Sequence, residues 1–428
     1  MSLRRIDLRG TTGDLRSALP RPADEQERSA DAVATIIADV RAGGDSAVRR
    51  LTERFDHVVL DDLRVPASEI RAALERISPE LRAALQVAHD RILAYHAHEA
   101  APVDDFESGG ITVSHIIRPV ERAGCYAPGG RARYPSTVLM CAVPARVAGV
   151  PEVILCVPPG SNGQVDDATL AAAAIAGIDE VYRIGGAQAI AAMAYGTESI
   201  APVDVIVGPG NRYVAEAKRQ VSGVVGVASA FAGPSEVVVI ADADTPPELA
   251  AIDLVVQAEH GPDGLAWLVT WADEVADEVI AEVDRLVAGS PRRADLEATL
   301  GHGGYVVLVD GPDQALAVSN VVAPEHLELL VDDARSLLPL VKAAGAVFLG
   351  KFSPASVGDY LAGPNHVLPT NRTARFASAL RVDDFRRHIH AVSVEEKALT
   401  ELGPHVVTLA EVEGLPAHGD SVRLRWLS

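Results

Sequence analysis

The sequence predicts an α/β protein with two doubly wound domains, and three observations predict it. First, apolar runs of strand length alternate with segments of helix length. Residues 152–157, 180–184 and 203–207 form one series of strands, and 237–241, 265–271, 305–310 and 346–349 form another. This is the pattern of a parallel sheet wrapped by helices. Second, two early strands end in glycine turns that open helices, Gly185-Gly186-Ala187-Gln188 and Gly208-Pro209-Gly210-Asn211. Such turns let backbone amides at a helix start approach a phosphate or another polar ligand. Neither is a G-x-G-x-x-G fingerprint, and tight turns in a parallel sheet would read the same way. Third, the later series has the size and rhythm of the earlier one, which suggests an old duplication.

Composition narrows the function. A chain of 428 residues is long for one core, so two or more domains are expected. The net charge of -21 argues against a nucleic-acid partner, because neutralising phosphates needs a basic surface. No stretch reads as a membrane span: the richest, 171–178, is short and closed by Asp179-Glu180. No signal peptide is legible after Met1-Ser2-Leu3-Arg4-Arg5. Cys125, Cys141 and Cys156 lack disulfide or metal spacing, which favours a reducing, cytoplasmic setting.

In order, residues 6–19 read as an extended arm with a short helix. Residues 23–55 carry helical periodicity through Val33, Ile36, Ile37, Val40, Val48 and Leu51, with Gly43-Gly44 as a break. Further helices are expected after Pro66-Ala67-Ser68, with Ser68 as cap, and after Ser78-Pro79-Glu80, with Ser78 as cap. His89, His96 and His98 on the latter read as surface residues. Residues 111–119 alternate like a strand, and a glycine-rich loop, 122–130, follows. Asp166-Asp167 caps an alanine-rich helix. In the second series, helices are expected at 272–288, 312–321 and 334–344, and a strand at 327–331. From Lys351 the chain is polar and loop-rich. Its tail from Val382 carries one expected helix, 393–403. That tail is too small for a core of its own and must pack on the body or on a second subunit.

Chemistry gathers around Gln257-Ala258-Glu259-His260-Gly261. An apolar run (Ile252, Leu254, Val255, Val256) reads as the buried face of a helix, so Gln257 and His260 are expected on one side of it. Gly261-Pro262 would then stop it. An amide oxygen beside an imidazole is half of a plausible metal site. A core-edge histidine with a solvated glutamine is the plainer reading. Loop-borne Glu325-His326, Asp359, His366, Glu413 and His418 complete a nitrogen- and oxygen-rich set without thiolates. Such a set suits zinc, with manganese or cobalt as alternatives. Each member also has an ordinary role open to it as turn residue, cap or solvated side chain. No spacing rule joins residues this far apart.

Nine motifs in order resemble the histidinol dehydrogenases. They are Tyr126-Ala127-Pro128-Gly129-Gly130, Gly185-Gly186-Ala187-Gln188-Ala189, Gly208-Pro209-Gly210-Asn211-Arg212-Tyr213-Val214, Ala232-Gly233-Pro234-Ser235-Glu236, Gln257-Ala258-Glu259-His260-Gly261, Pro324-Glu325-His326-Leu327, Ser356-Val357-Gly358-Asp359-Tyr360, Gly363-Pro364-Asn365-His366-Val367-Leu368-Pro369-Thr370 and Pro416-Ala417-His418. The resemblance implies two Rossmann-like doubly wound α/β domains, a helical N-terminal region and a small C-terminal dimerisation tail. It divides the chain into an arm (1–22), a first α/β domain (23–118 with 232–381), a second (119–231) and the tail (382–428). It implies a zinc-dependent homodimer that oxidises L-histidinol to L-histidine, the last step of histidine biosynthesis, through bound L-histidinal with two NAD.

By the same resemblance, Gln257, His260, Asp359 and His418 match the metal ligands, the last supplied across the dimer. Glu325 and His326 match the acid/base pair. Ser235, His366 and Glu413, with the four ligands and His326, match substrate contacts. Tyr126, Gln188 and Asn211 match NAD contacts. His326 is expected to act as base in both hydride steps and Glu325 to activate the water that adds to the aldehyde. One departure is Ser229, where relatives commonly carry an aspartate. The rival readings are a paralogue oxidising another small alcohol such as a sulfonated diol, a zinc hydrolase using Glu259 as base, and a non-catalytic metal-binding protein. The sulfonate reading wants an added Arg or Lys at the pocket, and none is obvious in the sequence.

Overall fold

The computed structural model describes residues 3–20, 29–129, 133–228, 235–259 and 264–426. The chain begins with β1 (Arg4–Asp7), one helical turn, α1 (Leu15–Ala18), and the long α2 (Ala30–Asp56). Gly44 breaks α2 as expected: its φ of 50° and ψ of -137° are non-helical. β2 (Arg64–Val65), α3 (Ala67–Arg76) and α4 (Pro79–Glu99) follow. Ser78 caps α4 by accepting from the Leu81 N–H at 3.2 Å. Ser68 does not cap α3, which already starts at Ala67 behind Pro66. Next come β3 (Phe106–Ser108), β4 (Ile111–Pro119) and β5 (Arg122–Tyr126).

A regular alternation then sets in: α5 (Pro135–Ala148), β6 (Glu152–Cys156), α6 (Asp167–Ile175), β7 (Glu180–Tyr182), α7 (Gly186–Tyr195), β8 (Val205–Val207), α8 (Arg212–Val221) and β9 (Gly226–Val227). The second series is β10 (Glu236–Ala241), α9 (Pro247–Ala258), β11 (Leu265–Thr270), α10 (Asp273–Gly289), α11 (Arg293–Gly303), β12 (Gly304–Leu308), α12 (Pro312–Val322), β13 (His326–Leu330), β14 (Ala346–Leu349) and α13 (Ala355–Tyr360). The helix expected at 334–344 is a 3-10 turn, Ala334–Leu340, with Pro339 inside it. The tail holds β15 (Arg386–Val394), α14 (Glu396–Val412) and α15 (Pro416–Trp426). The helix expected at 393–403 therefore starts later and runs through Pro404. An internal proline removes one donor and kinks a helix, which does not always end it.

The strands form two six-stranded sheets, ordered β1-β12-β11-β10-β13-β14 and β2-β7-β6-β5-β8-β9. All pairs are parallel except β2–β7. The doubly wound α/β class is as expected, but the allocation of 23–118 to the first domain is not what the contacts show. Helices α2, α3 and α4 pack on α7, α6 and α5, and β2 joins the second sheet. The apolar stripe of α2 is the reason. Val33, Ile37, Val40 and Val48 share one core with Ile190, Met193, Ile206 and Val214. The two sheets fall within one compact unit, Met1–Glu99 with Glu121–Phe385, and Ala100–Val120 with Arg386–Ser428 form a second. In that second unit β15 pairs antiparallel with β4, β3 adds to β4, and α14 packs on α15. The segment before β5 thus groups with the tail, through the nine-residue pairing of β15 with β4. Among the described residues no helix is long and apolar enough to cross a membrane.

Candidate active site

The site candidates collect at the amino edge of the first sheet, where β13 begins. Ala323 ends α12 in a left-handed conformation (φ 50°), and Pro324 turns the chain into the strand. Gly345 and Ala346 donate to the carbonyls of Pro324 and Glu325, both at 2.9 Å. A Cβ at Gly345 would lie 2.6 Å from the Glu325 carbonyl, so this close approach requires glycine. His326 is thereby buried at the head of β13, with Glu325 buried beside it. The His326 Nε2 lies 3.4 Å from Asp359 Oδ1, and its Nδ1 3.9 Å from Glu325 Oε2.

Asp359 comes from α13, which lies on the Phe348 ring of β14. Gly358 permits this, since a Cβ there would strike that ring. Burial opposes protonation of His326, but the charge of Glu325 and the paired Asp359 outweigh it and hold its pKa above the ordinary 6.5. A buried imidazole between two carboxylates is a strong proton acceptor.

His366 is anchored on both ring nitrogens. Its Nδ1 lies 2.8 Å from the Asp359 carbonyl, and its Nε2 3.2 Å from the Thr137 hydroxyl. A carbonyl only accepts, so Nδ1 carries the proton. The preceding Asn365 donates to the Met140 carbonyl (2.6 Å), accepts from the Val367 N–H (2.9 Å) and lies 3.4 Å from His96 Nε2. His96 is fully buried, with Nδ1 2.9 Å from Glu99 Oε2, and Arg381 donates to Glu99 at 2.6 Å. The surface role expected for His96 is thus corrected. It braces the loop that carries His366, and a charged partner makes its burial tolerable.

Gln257 is buried at the end of α9. That helix runs to Ala258 with Glu259 as its cap, and the helical face expected to be shared with His260 falls outside the described residues. His260 and Ser229 lie outside the described residues. Ser235 is described just before β10, with its carbonyl accepting from the Leu265 N–H at 2.9 Å. Glu413 caps the end of α14 and His418 sits on α15, both exposed and both in the second compact unit. The structure therefore brings together Glu325, His326, Asp359 and His366, with Gln257 at the end of α9. Among the described residues no three His, Cys, Asp or Glu side chains converge as a metal-sized group. An amide is part of the expected donor set, and its two other histidines lie outside the described residues or in the second unit.

The buried acids include two that face each other, Glu328 and Asp253. The signal for Glu328 was present: one carboxyl in the otherwise apolar run His326-Leu327-Glu328-Leu329-Leu330. Burial first, then the facing Asp253, holds Glu328 far above the ordinary carboxyl range.

The turns of the second sheet lie at its carboxyl edge. The buried Tyr126 hydroxyl, at the end of β5, accepts from the Gly186 N–H at 3.1 Å. Gln188 is buried in the first turn of α7. Asn211 caps α8, its side-chain oxygen accepting from Tyr213 and Val214 at 3.0 and 3.1 Å. Its amide NH2 is the group left to meet a ligand. Behind the turn, the fully buried Lys218 donates to the Gly208 carbonyl.

Burial pulls the Lys218 ammonium from 10.5 down to about 8. Between those values the unfolded chain holds the extra proton. The Lys218 share of folding stability therefore rises as pH climbs from about 8 to about 10.5. Lys218→Met removes that share, so its urea midpoint relative to that of the parent chain is expected to be higher at about pH 7.5 than at about pH 10.

Comparison with known proteins accords with this geometry. The family model for histidinol dehydrogenase matches residues 19–426. A histidinol dehydrogenase of Parasynechococcus marenigrum is 50% identical over 395 residues, covering 92% of this chain and 90% of the relative. "Histidinol dehydrogenase 2" of Trichormus variabilis is 46% identical over 417 residues, 96% of each chain. The crystal structure of histidinol dehydrogenase from Elizabethkingia anophelis superposes with a TM-score of 0.95 at 36% identity, covering 99% of this chain and 98% of that one. With the family matched from the arm to the last helix, and the family fold reproduced around Glu325, His326 and Asp359, this chain belongs to the histidinol dehydrogenase family.

Proposed function

We propose that this protein oxidises L-histidinol to L-histidine through bound L-histidinal, with two NAD, as the last step of histidine biosynthesis. The observation that carries the reading is the buried His326 between the carboxylates of Glu325 and Asp359, in a chain of this family. A base held above the ordinary histidine range and shielded from water suits removal of a hydroxyl proton as hydride leaves carbon.

His326 takes the alcohol proton in the first hydride step. As water adds to the aldehyde, Glu325 takes the water's proton and His326 returns its own to the aldehyde oxygen, which gives the gem-diol and frees the imidazole. His326 then takes one gem-diol hydroxyl proton as the second hydride leaves, and the carboxylic acid so formed loses its last proton to solvent and departs as the histidine carboxylate. Ser235, His366 and Glu413 hold the substrate, Glu413 by pairing with its ammonium group. Tyr126, Gln188 and Asn211 hold NAD against the glycine turns.

The donor types fit zinc: a buried amide ends α9, a carboxylate sits on α13 beside His326, and the expected set holds no thiolate. Gln257 and Asp359, with His260 and with His418 from the partner of a homodimer, would hold it. NAD supplies the hydride acceptor and zinc a positive charge that orients the substrate. Exposed apolar side chains on the second unit, including Ile389, Val392, Leu402, Leu409 and Val412, support burial of that unit in a dimer. Three buried free thiols support a cytoplasmic location. The hydrolase alternative is not favoured, because Glu259 is an exposed helix cap.

The test is NADH formed per L-histidinol consumed. Two NADH, lost on chelation and restored by zinc, is the expected result. No NADH from a zinc-loaded, folded dimer would sink the substrate assignment.

A further inference from the structure

Three elements meet at β13 in two successive layers. At the mouth, His326 faces Asp359 of α13, and Gln257 ends α9. One step deeper, Glu328 faces Asp253 of α9 and accepts from the Ala355 N–H, the first of α13, at 3.2 Å. The spacing is commensurate. His326 and Glu328 are two residues apart on a strand, about 6.6 Å along its axis. Asp253 and Gln257, like Ala355 and Asp359, are four apart on a helix, about 6 Å along the axis and on one face. The core agrees: Leu330, which shares the strand face of His326 and Glu328, packs with Leu254 and Val255 of α9.

The geometry points to the Glu328–Asp253 pair as a buried brace. It fixes α9 and α13 to β13 one layer beneath the mouth, and so sets the separation of the metal donors Gln257 and Asp359. This rests on the reading that those two residues hold zinc.

The chemistry of the pair supports a specific link. Glu328 is 1% exposed and Asp253 8% exposed. The Glu328 Oε2 meets no donor unless a proton sits between the two carboxyls. Two buried carboxylates facing each other cannot both ionise cheaply, so one shared proton makes a donor–acceptor bridge from strand to helix. The other Glu328 oxygen closes the start of α13, whose preceding residue is Pro354 and has no N–H to offer. An apolar residue at 328 would pack as well against Leu254 but would join neither helix. Outer partners of metal ligands commonly tune affinity by 10–100-fold.

The experiment uses the full-length chain, stripped with chelator and titrated with zinc alone against a chromophoric competitor. Glu328→Gln keeps an acceptor for Ala355 and a donor for Asp253, and should bind zinc within about 3-fold of the parent. Glu328→Leu should bind zinc about 10–100-fold more weakly. Asp253→Ala, which leaves α13 tied and suits a helix, should fall between them and serves if the leucine variant does not fold. Circular dichroism and the melting temperature of metal-free protein are recorded alongside. A residue that merely stabilises the fold would lower the melting temperature and leave the zinc constant alone, which overturns the proposal. Glutamine as damaging as leucine overturns it too. Asp359→Ala separates the two readings. If it weakens zinc while folded Glu328→Leu or Asp253→Ala does not, the brace is wrong and the metal site stands. If Asp359→Ala leaves zinc binding unchanged, the metal reading fails first.

Discussion

His326→Asn is expected to lower kcat by about 10²–10⁴-fold with little change in the melting temperature. The imidazole is buried with its ring centroid 6.0 Å from that of Phe348, and the planar amide of asparagine fills part of that space. What asparagine cannot supply is a proton acceptor with a pKa above 6.5, the value that burial lowers and the carboxylates of Glu325 and Asp359 more than restore. The loss should fall on both hydride steps. Glu325→Gln differs in kind. It leaves the His326 imidazole in place, though with less negative charge to hold its pKa up, and removes the carboxylate that takes the water proton. Oxidation of histidinol should then proceed to the aldehyde and stall, so that supplied histidinal is turned over worse than histidinol is consumed. Rapid mixing with each substrate measures the two half-reactions separately. Equal losses in both would show that the two residues do not divide the chemistry.

Gly208→Ala is expected to destabilise the protein by about 3 kcal/mol and to raise the KM for NAD at least about 10-fold. Gly208 has φ of 106°, and a Cβ there would land on the Tyr126 carbonyl oxygen. That oxygen belongs to backbone and cannot step aside, so β5 and the turn after β8 would have to part. Both carry residues proposed to meet NAD. Gly223 is the control. Its φ is 96°, yet nothing lies within 4 Å of a Cβ built on it. Gly223→Ala should cost only the backbone strain, about 1 kcal/mol, and should leave NAD binding unchanged. Thermal melts with NAD titrations compare the two. Equal effects would mean that the close approach to Tyr126 is unimportant.

Local signals carried far in this chain. Ser78, Asp166 and Asn211 cap helices where short-range chemistry places them, because a cap involves residues two or three apart. Gly44 breaks α2 for an equally local reason. Residues whose roles depend on distant partners were read wrongly or not at all. His96 looked like one more polar residue on a helix, and only Asn365 and Glu99 turn it into a buried brace. Glu328 was visible as a charge in an apolar strand, but Asp253 lies 75 positions away in sequence and nothing local joins them.

The sequence by itself determined the alternation of strands and helices, the glycine turns, the residue types of the site and, through nine ordered motifs, the family. All of these are short-range or pattern-level properties, decided by a repeat of two or 3.6 residues or by a few neighbours. The tertiary structure decided which sheet the helices of residues 30–99 cover, and that residues 100–120 pair with the tail rather than with the body. It also decided that Glu325, His326, Asp359 and His366 meet at one mouth. An apolar stripe states that a face must be buried but not against what. The partner is chosen by the fit of side chains far apart in the chain, which periodicity cannot express.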